Sequence, residues 1–591
     1  MDEIDNDKNV ELQTTVRIEL IGFSTVILMV AYYLWTVFGY LDLTIDILQW
    51  VFTIFAFAII AKALFLPRIE VHRLTDMIVG IVSFVSAALL IYRYGITNVI
   101  LLPVYVILIV SGFYMMKNAF SGLKNRTFRK IVPVSISSVL FLSSIFISDS
   151  FIYPVLILVF ILIFVIFNKN VTLSSFSIIA VAVVFAVSMD HLYPYLGTDE
   201  LTLDLYAARV FFSGHNPYIA SAMSNAFHYY NFPLSMTTPY STGGYVENFS
   251  YPFLIVLILA PAEIFGFNPG YEIIFFTALL FFMIFLHYRR EGFEKFVPIA
   301  IATVIVDVNI FTFADGSVPD AIWVFFLLIS LFFIDRPVKS SLFYGLSISI
   351  KQIPLILFPF LIYYVYKTAG KKYALIFIAV SAIVFAAVNS YFLIVTPVSF
   401  INSILSPETS NLLGVGQGIS ILTFTGIYSI SQAYYTLMMI FFLFFLLAIY
   451  IRYFEKAKYI FVAFPILIFF FNYRFLFNYI VFWPLIAIFM LPIIMKKSSS
   501  KFKRENMKKI TAMIVIALAV PAASAVAMHQ SPQFQIEDIS SYVYQNSTIA
   551  QMNVNITFES TPINDMQFRM FPYGSLGNLN GYMWKQTQAK S

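Results

Sequence analysis

Asp199, Glu200 and Asp204 sit close together in a chain where acidic residues are sparse. A positioned carboxylate can take the proton from an attacking hydroxyl, and three close together can hold a divalent cation. The run LTLDLYAARVFF that follows puts Leu201, Leu205, Ala208 and Phe212 on one helical stripe, with Glu200 and Asp204 on another face. Asp199 then stands at the helix start. It reads either as an N-cap, satisfying free N–H groups, or as a general base, with Glu200 and Asp204 as alternative bases. Two cations could complement these acids. Lys351 lies between apolar half-helices, where an ammonium is costly and by default functional; its other reading is an internal ion pair. Arg474, in FNYRFLFNY, has the planar fork that suits phosphate oxygens; its other reading is snorkelling among ordinary headgroups. Asp315 and Asp320, in ADGSVPDAIW, either contact a substrate or cap a helix. Asp307 lies inside an apolar run, placed to pair with Lys351 or Arg474. His191, His215 and Arg209 read as loop structure.

The elements that must position these groups are apolar. The chain has 591 residues, 60% of them hydrophobic and 11% charged, with mean hydropathy +0.85. Runs of roughly 18 or more apolar residues recur, each able to cross a ~30 Å hydrocarbon layer as a helix. Backbone groups in lipid must be satisfied within the segment, so repeated runs imply an all-α polytopic membrane protein. Alternating short segments, the mark of a β-barrel, do not dominate. Cysteine is absent, which excludes disulfides, thiolate metal sites and cysteine nucleophiles. The acidic start, MDEIDNDKNVELQ, is unlike the basic start of a secretory signal. The modest net charge of +5 gives no case for nucleic-acid binding.

Taken in order, residues 1–170 form an N-terminal region with spans at 20–39, 46–66, 76–92, 96–116, 131–148 and 151–167. Cationic loops sort to the cytoplasm, which puts the N-terminus inside and the loop after span 172–189 outside. That outer loop, 190–250, holds five carboxylates against a single arginine and no window apolar enough to cross. Residues 251–267 are short and carry two prolines and a glutamate, so they lie along the outer interface or re-enter. Spans follow at 271–288, 296–313 and 320–334. Residues 341–366 have cations at both ends and read as half-length helices, 341–350 and 353–366, with Lys351-Gln352-Ile353-Pro354 at the tip. Spans at 373–395, 431–451, 459–471 and 475–494 complete a membrane core over 171–495. A basic cytoplasmic loop and a last span occupy 496–527, and a small polar extracytoplasmic tail occupies 528–591. The total is about 15 spans. On this topology the acceptor triplets at Asn248, Asn546 and Asn555 fall outside and those at Asn125 and Asn170 inside.

The pattern GTDE, YAARVFFSGHNPY and NFSYPFLIVLILAP resembles the first outer loop of the GT-C glycosyltransferases, multispan enzymes that use polyprenyl-phosphate sugars. Gly214 to Tyr218 match that family's G-x-x-P-Y, and Tyr251-Pro252 its Y-P. Gly345, Lys351 and Pro354 match its G-x-x-x-x-x-K-x-x-P segment. Gly416-Gln417-Gly418 is similar to an N-Q-S motif of the mannosyltransferase branch, without its Asn and Ser. The resemblance covers about 172–495 and leaves out the first spans and the tail.

The resemblance implies transfer of a hexose, mannose for example, from a polyprenyl- or dolichyl-phosphate to a lipid, glycan or protein acceptor outside the cytoplasm. The lipid phosphate is a good leaving group and needs no acid. The reaction needs a base, for which Asp199 is the first choice, and cations for the departing phosphate, for which Lys351 and Arg474 are nominated. Tyr218, Gln352, Asp320 and Gln417 join them as substrate-binding residues. A divalent cation near the carboxylates is left open, because relatives differ. The alternatives are a carrier or flippase for lipid-linked sugars, with Lys351 and Asp307 lining a path, and a glycan polymerase or ligase. A carrier needs its charges near mid-membrane; a transferase of this kind needs them at the outer face.

Overall fold

The structure is a computed structural model that describes residues 170–192, 197–240, 244–297, 300–301, 304, 318–416, 418–424, 428–479, 481–497, 519–529, 534–545, 548–558, 567–570 and 582–585. The N-terminal spans, Asp307, Asp315, Gln417, Asn125, Asn546 and the basic loop from 498 to 518 lie outside these residues. The chain divides into two compact units, residues 1–181 with 295–307 and residues 182–294 with 308–591. Every contact of the candidate site lies in the second unit.

Helices follow the apolar runs. They are α1 Val171–Leu192, α2 Asp199–Phe212, α3 Leu254–Phe265, α4 Gly270–Glu291, α5 Asp320–Phe332, α6 Pro337–Ile348, α7 Phe358–Ala369, α8 Lys371–Val388, α9 Pro397–Thr409, α10 Gln432–Arg452, α11 Phe464–Phe469 and α12 Trp483–Lys497, with single-turn pieces between. Three of them, α4, α8 and α10, are long and apolar enough to cross a membrane. Helix α3, in the proline-containing run expected to lie along the interface or re-enter, has 12 residues and reaches only about 18 Å.

Local chemistry sets the breaks. Thr198 has extended backbone angles and its Oγ1 accepts from the N–H of Leu201, so Thr198, not Asp199, is the N-cap of α2. Asp199 and Glu200 occupy the first turn, where negative charge faces the positive helix end. Pro337 opens α6 at a position where a missing N–H costs nothing. Between α6 and α7 the helix stops at 349–352 and resumes through a 3₁₀ piece, Ile353–Leu357. Pro354 has no N–H to continue a ladder, and its carbonyl accepts from the buried Tyr344 hydroxyl at 2.8 Å. The expected pair of half-length helices is therefore an α-helix, a loop at Lys351, a 3₁₀ turn and a second α-helix.

One end of the bundle is basic. The Arg290 guanidinium donates to the Phe332 carbonyl at the end of α5, and Lys496 at the end of α12 pairs with Glu291 at 3.2 Å. Lys458 lies over the Tyr364 ring of α7, whose hydroxyl donates to Asp335. Helix α5 starts at Asp320, α6 ends near Lys351, and these two residues meet at the other end.

The polar tail departs from an all-helical reading. Strand β3, Phe534–Gln545, pairs antiparallel with β4, Thr548–Phe558, and β5, Gln567–Met570, with β6, Tyr582–Lys585. Asn555 is exposed on β4. The tail begins beside the N-terminus of α10, where Ser431 N–H donates to the Met528 carbonyl and His529 stacks on Tyr428. Strand β6 contacts the turn Leu234–Met236 of the loop after α2. The tail and that loop thus share one side of their unit.

Candidate functional site

Lys351 is the centre of the site. Its Nζ lies 2.6 Å from Glu200 Oε1 and 2.7 Å from Asp320 Oδ1, with the Tyr251 ring centroid at 5.2 Å. Three elements meet there: the first turn of α2, the first turn of α5 and the break after α6. Asp320 does not cap its helix; it pairs with Lys351. No side-chain cap bond forms at the start of α5, and the Asp320 carboxylate accepts from Lys351 and from Trp323 Nε1 at 2.7 Å. Glu200 and Asp320 hold the ammonium, which is the internal ion pair, the other reading of Lys351.

Asp199 is oriented by the backbone. Its Oδ1 accepts from the Glu200 N–H at 3.0 Å and its Oδ2 from the Thr238 N–H at 2.7 Å. Each oxygen keeps a lone pair for a further donor. Asp199 is half-buried, whereas Asp204 and Asp320 are fully buried. Of the carboxylates in the cluster, Asp199 and Glu200 are the ones an incoming hydroxyl can reach.

Asp204 differs. Both of its oxygens are buried with no hydrogen-bond partner. Burial raises its carboxyl well above the ordinary range, and the Glu200 charge adds to that. Glu200 is raised to about 7, chiefly by burial; Lys351 opposes the rise and Asp320 reinforces it. Burial thus favours the protonated form of Asp204, and Glu200 is poised to exchange a proton near neutrality. Asp204, nominated as an alternative base, is too enclosed to meet a substrate.

Arg474 reaches the same centre by another route. Strand β1, Val415–Gly416, pairs parallel with β2, Arg474–Phe475, and the Ile419 N–H donates to the Phe470 carbonyl at 3.0 Å. A Cβ at Gly418 would sit 2.2 Å from that carbonyl oxygen, so this backbone approach needs glycine. The Gly416–Gly418 motif thereby braces the Arg474 strand. One guanidinium N–H donates to the Leu413 carbonyl at 2.7 Å. Burial lowers the Arg474 proton affinity, while Tyr479, Asp199, Tyr251 and Tyr473, all within electrostatic reach, support its charge.

Two nominated substrate contacts, Gln352 and Tyr218, make hydrogen bonds to the scaffold. The Gln352 amide donates to the Ser250 carbonyl at 2.7 Å and the Ile404 carbonyl at 3.1 Å. Tyr218 is buried, packs on Phe249, Phe392 and Phe400, and donates its hydroxyl to the Tyr251 carbonyl at 2.9 Å. Both residues shape the loop that carries Tyr251. The expected α2 stripe is buried at Leu201, Leu205 and Ala208 and exposed at Phe212. Arg209 binds Glu263 at 3.1 Å, a scaffold contact, and His215 is exposed.

Tyr251 and Tyr479 join the cluster without having been nominated. Tyr251 stands in the Y-P motif, next to the segment Gln352 clamps, and that was a usable signal. Tyr479 had none beyond its distance from Arg474 in sequence. Among the described residues no group of three or more His, Cys, Asp or Glu side chains is arranged to hold a metal ion. The ammonium of Lys351 lies between two of the carboxylates, where a bound cation's charge would go.

No family model matches the chain, and neither a curated protein nor a solved structure matches it.

Proposed function

We propose that the chain is an integral membrane glycosyltransferase that moves a hexose from a polyprenyl-phosphate donor to an extracytoplasmic acceptor, with Asp199 as general base. The supporting observation is convergence. Asp199, Glu200, Asp320, Lys351 and Arg474 come from four separated stretches of chain and gather at one end of an apolar helical body. That end lies opposite the basic helix termini at Arg290, Lys458 and Lys496, which fits cations in the cytoplasm.

The chemistry follows from placement. The acceptor hydroxyl loses its proton to Asp199 as its oxygen attacks the anomeric carbon, and the bond to the lipid phosphate breaks. The released phosphate needs no proton. The guanidinium of Arg474 stabilises its charge with the N–H groups not used on Leu413. Lys351 is already balanced by its two carboxylates and serves to hold Glu200 and Asp320 in place beside the reacting groups. Glu200, poised near neutrality, can then receive the proton from Asp199.

The second reading is a carrier of lipid-linked sugars: the Lys351 ammonium is almost wholly buried and already satisfied by two carboxylates, so it offers no open phosphate seat to a transferase. One experiment separates the readings. The full-length protein in nanodiscs is given a polyprenyl-phosphate hexose and a model acceptor, wild type beside Asp199→Asn. Transfer by the wild type and a loss of about 10²-fold or more in the variant are expected for removal of a general base. Undiminished transfer by the variant removes Asp199 as base; donor flux across liposomes without any transfer establishes the carrier.

A further inference from the structure

Helix α9, Pro397–Thr409, carries an exposed apolar face. Val398 is 69% exposed, Ile401 47% and Leu405 50%. Their spacing puts them on one side of the helix. Just before the helix, Ile394 is 80% and Val395 56% exposed. The opposite side is fixed to the site. Phe400 is buried against Tyr218, Asn216 Nδ2 donates to Thr396 Oγ1 at 2.7 Å, and the Ile404 carbonyl accepts from Gln352. Exposed polar residues of α9 concentrate at its far end, at Glu408 and Thr409, with Asn402 bordering the apolar face.

Geometry identifies what covers this face. Helix α8 starts at Lys371 and Lys372 and runs 18 residues, about 27 Å, close to the ~30 Å hydrocarbon thickness. Its own surface is apolar and exposed, for example at Leu375 and Ile383. Residues 390–395 extend it by a further turn and a half before the break at Thr396. If the lysines hold one interface, α9 begins at the other, and its exposed face continues the lipid-facing surface of α8. Five aliphatic side chains left in water would forgo the favourable transfer of their apolar surface.

We infer that α9 is an in-plane interfacial helix whose Val398–Ile401–Leu405 face rests in the leaflet opposite Lys371, its Glu408 end emerging into water. The partner is the headgroup–acyl boundary of the bilayer. Because Gln352 bonds the α9 backbone and neighbours Lys351, the depth of α9 sets the depth of the ion-paired cluster. This placement rests on the membrane reading of α8 and not on the proposed transfer reaction.

The chain has no cysteine, so single-cysteine probes report cleanly. Ile401→Cys and Glu408→Cys, each carrying an environment-sensitive fluorophore, are reconstituted as full-length protein in phosphatidylcholine nanodiscs. They are quenched separately by lipids bearing a nitroxide on the acyl chain and by aqueous iodide. The expected result is several-fold stronger nitroxide quenching at Ile401 than at Glu408, with iodide showing the reverse order, consistent with a depth of about 5–10 Å. Val398→Cys and Leu405→Cys should repeat the Ile401 pattern and guard against a local misfold. Iodide quenching at Ile401 equal to that at Glu408 would overturn the inference, as would protection of Ile401 from both quenchers, which would mean a protein partner covers the face.

Discussion

Glu200 and Lys351, 151 residues apart, are joined by a 2.6 Å contact between Oε1 and Nζ. The contact fastens the first turn of α2 to the break between α6 and α7. Both side chains are largely removed from water, so the pair specifies this one arrangement more than it adds net stability.

Removing only the cation should therefore be severe. Lys351→Met leaves Glu200 and Asp320 buried without their counter-charge, and a loss of about 3–5 kcal/mol is expected for breaking a buried pair on one side. Adding Glu200→Gln and Asp320→Asn removes the stranded charges and should recover most of it. Thermal unfolding of the single and triple variants in detergent measures both. A single variant as stable as wild type would show the ammonium to be dispensable.

Stability should also depend on pH with a definite sign. Burial raises Glu200 from 4.5 to about 7 and pushes Asp204 well above its ordinary 3.8. Across that window the folded chain binds more protons than the unfolded one, so stability falls as pH rises. In Asp204→Asn, a neutral isostere of the protonated acid, and in Glu200→Gln, the fall should be shallower. Melting temperatures measured from about pH 5 to about pH 8 test the sign. A wild-type curve that climbs over this range would contradict the upward shifts of Glu200 and Asp204.

Some of this was legible in the sequence and some was not. Lys351 stood out because an ammonium among apolar half-helices is costly, and Pro354 announced the break. Its partners did not stand out: Glu200 and Asp320 meet it only through tertiary packing. Asp199 looked like a cap because Thr198 and Asp199 are adjacent and both residue types cap well; only backbone geometry separates them. The bracing of Arg474 escaped notice because two-residue strands have no period to read. The tail is a different case. Met552, Val554, Ile556 and Phe558 alternate with Asn553, Asn555 and Thr557, a strand signal that was available and outweighed by the overall polarity of the segment.

Gln352 offers a test between scaffold and substrate contact. Its amide holds the Ser250 and Ile404 carbonyls, and losing two neutral hydrogen bonds should cost roughly 1–3 kcal/mol. Gln352→Leu should speed amide exchange around 248–254 and 400–406. With a working transfer assay it should lower kcat more than it raises KM. A change confined to KM, with exchange unaltered, would return Gln352 to direct substrate binding.

Gly345 sets a close approach of α6 to α8. A Cβ there would lie 2.7 Å from Val384 Cβ and 3.1 Å from the Ser381 carbonyl oxygen. Two effects compete in Gly345→Ala. Helix propensity favours alanine by about 1 kcal/mol, while overpacking typically costs about 1–3 kcal/mol. The carbonyl belongs to backbone already tied by Ser381 Oγ to the Ser341 carbonyl at 3.1 Å, so it has little room to retreat, and the overpacking cost should win. Gly345→Ala is expected to lower the melting temperature and Gly345→Val to lower it further. Val384→Ala should rescue Gly345→Ala in part, since it clears the Cγ1 contact and leaves the Cβ one. Because α6 delivers Lys351 to Glu200, the unrescued variants should also show reduced transfer if the proposed reaction holds. A stabilised Gly345→Ala would mean the two helices separate at little cost, and that α6 is not held tightly enough to fix Lys351.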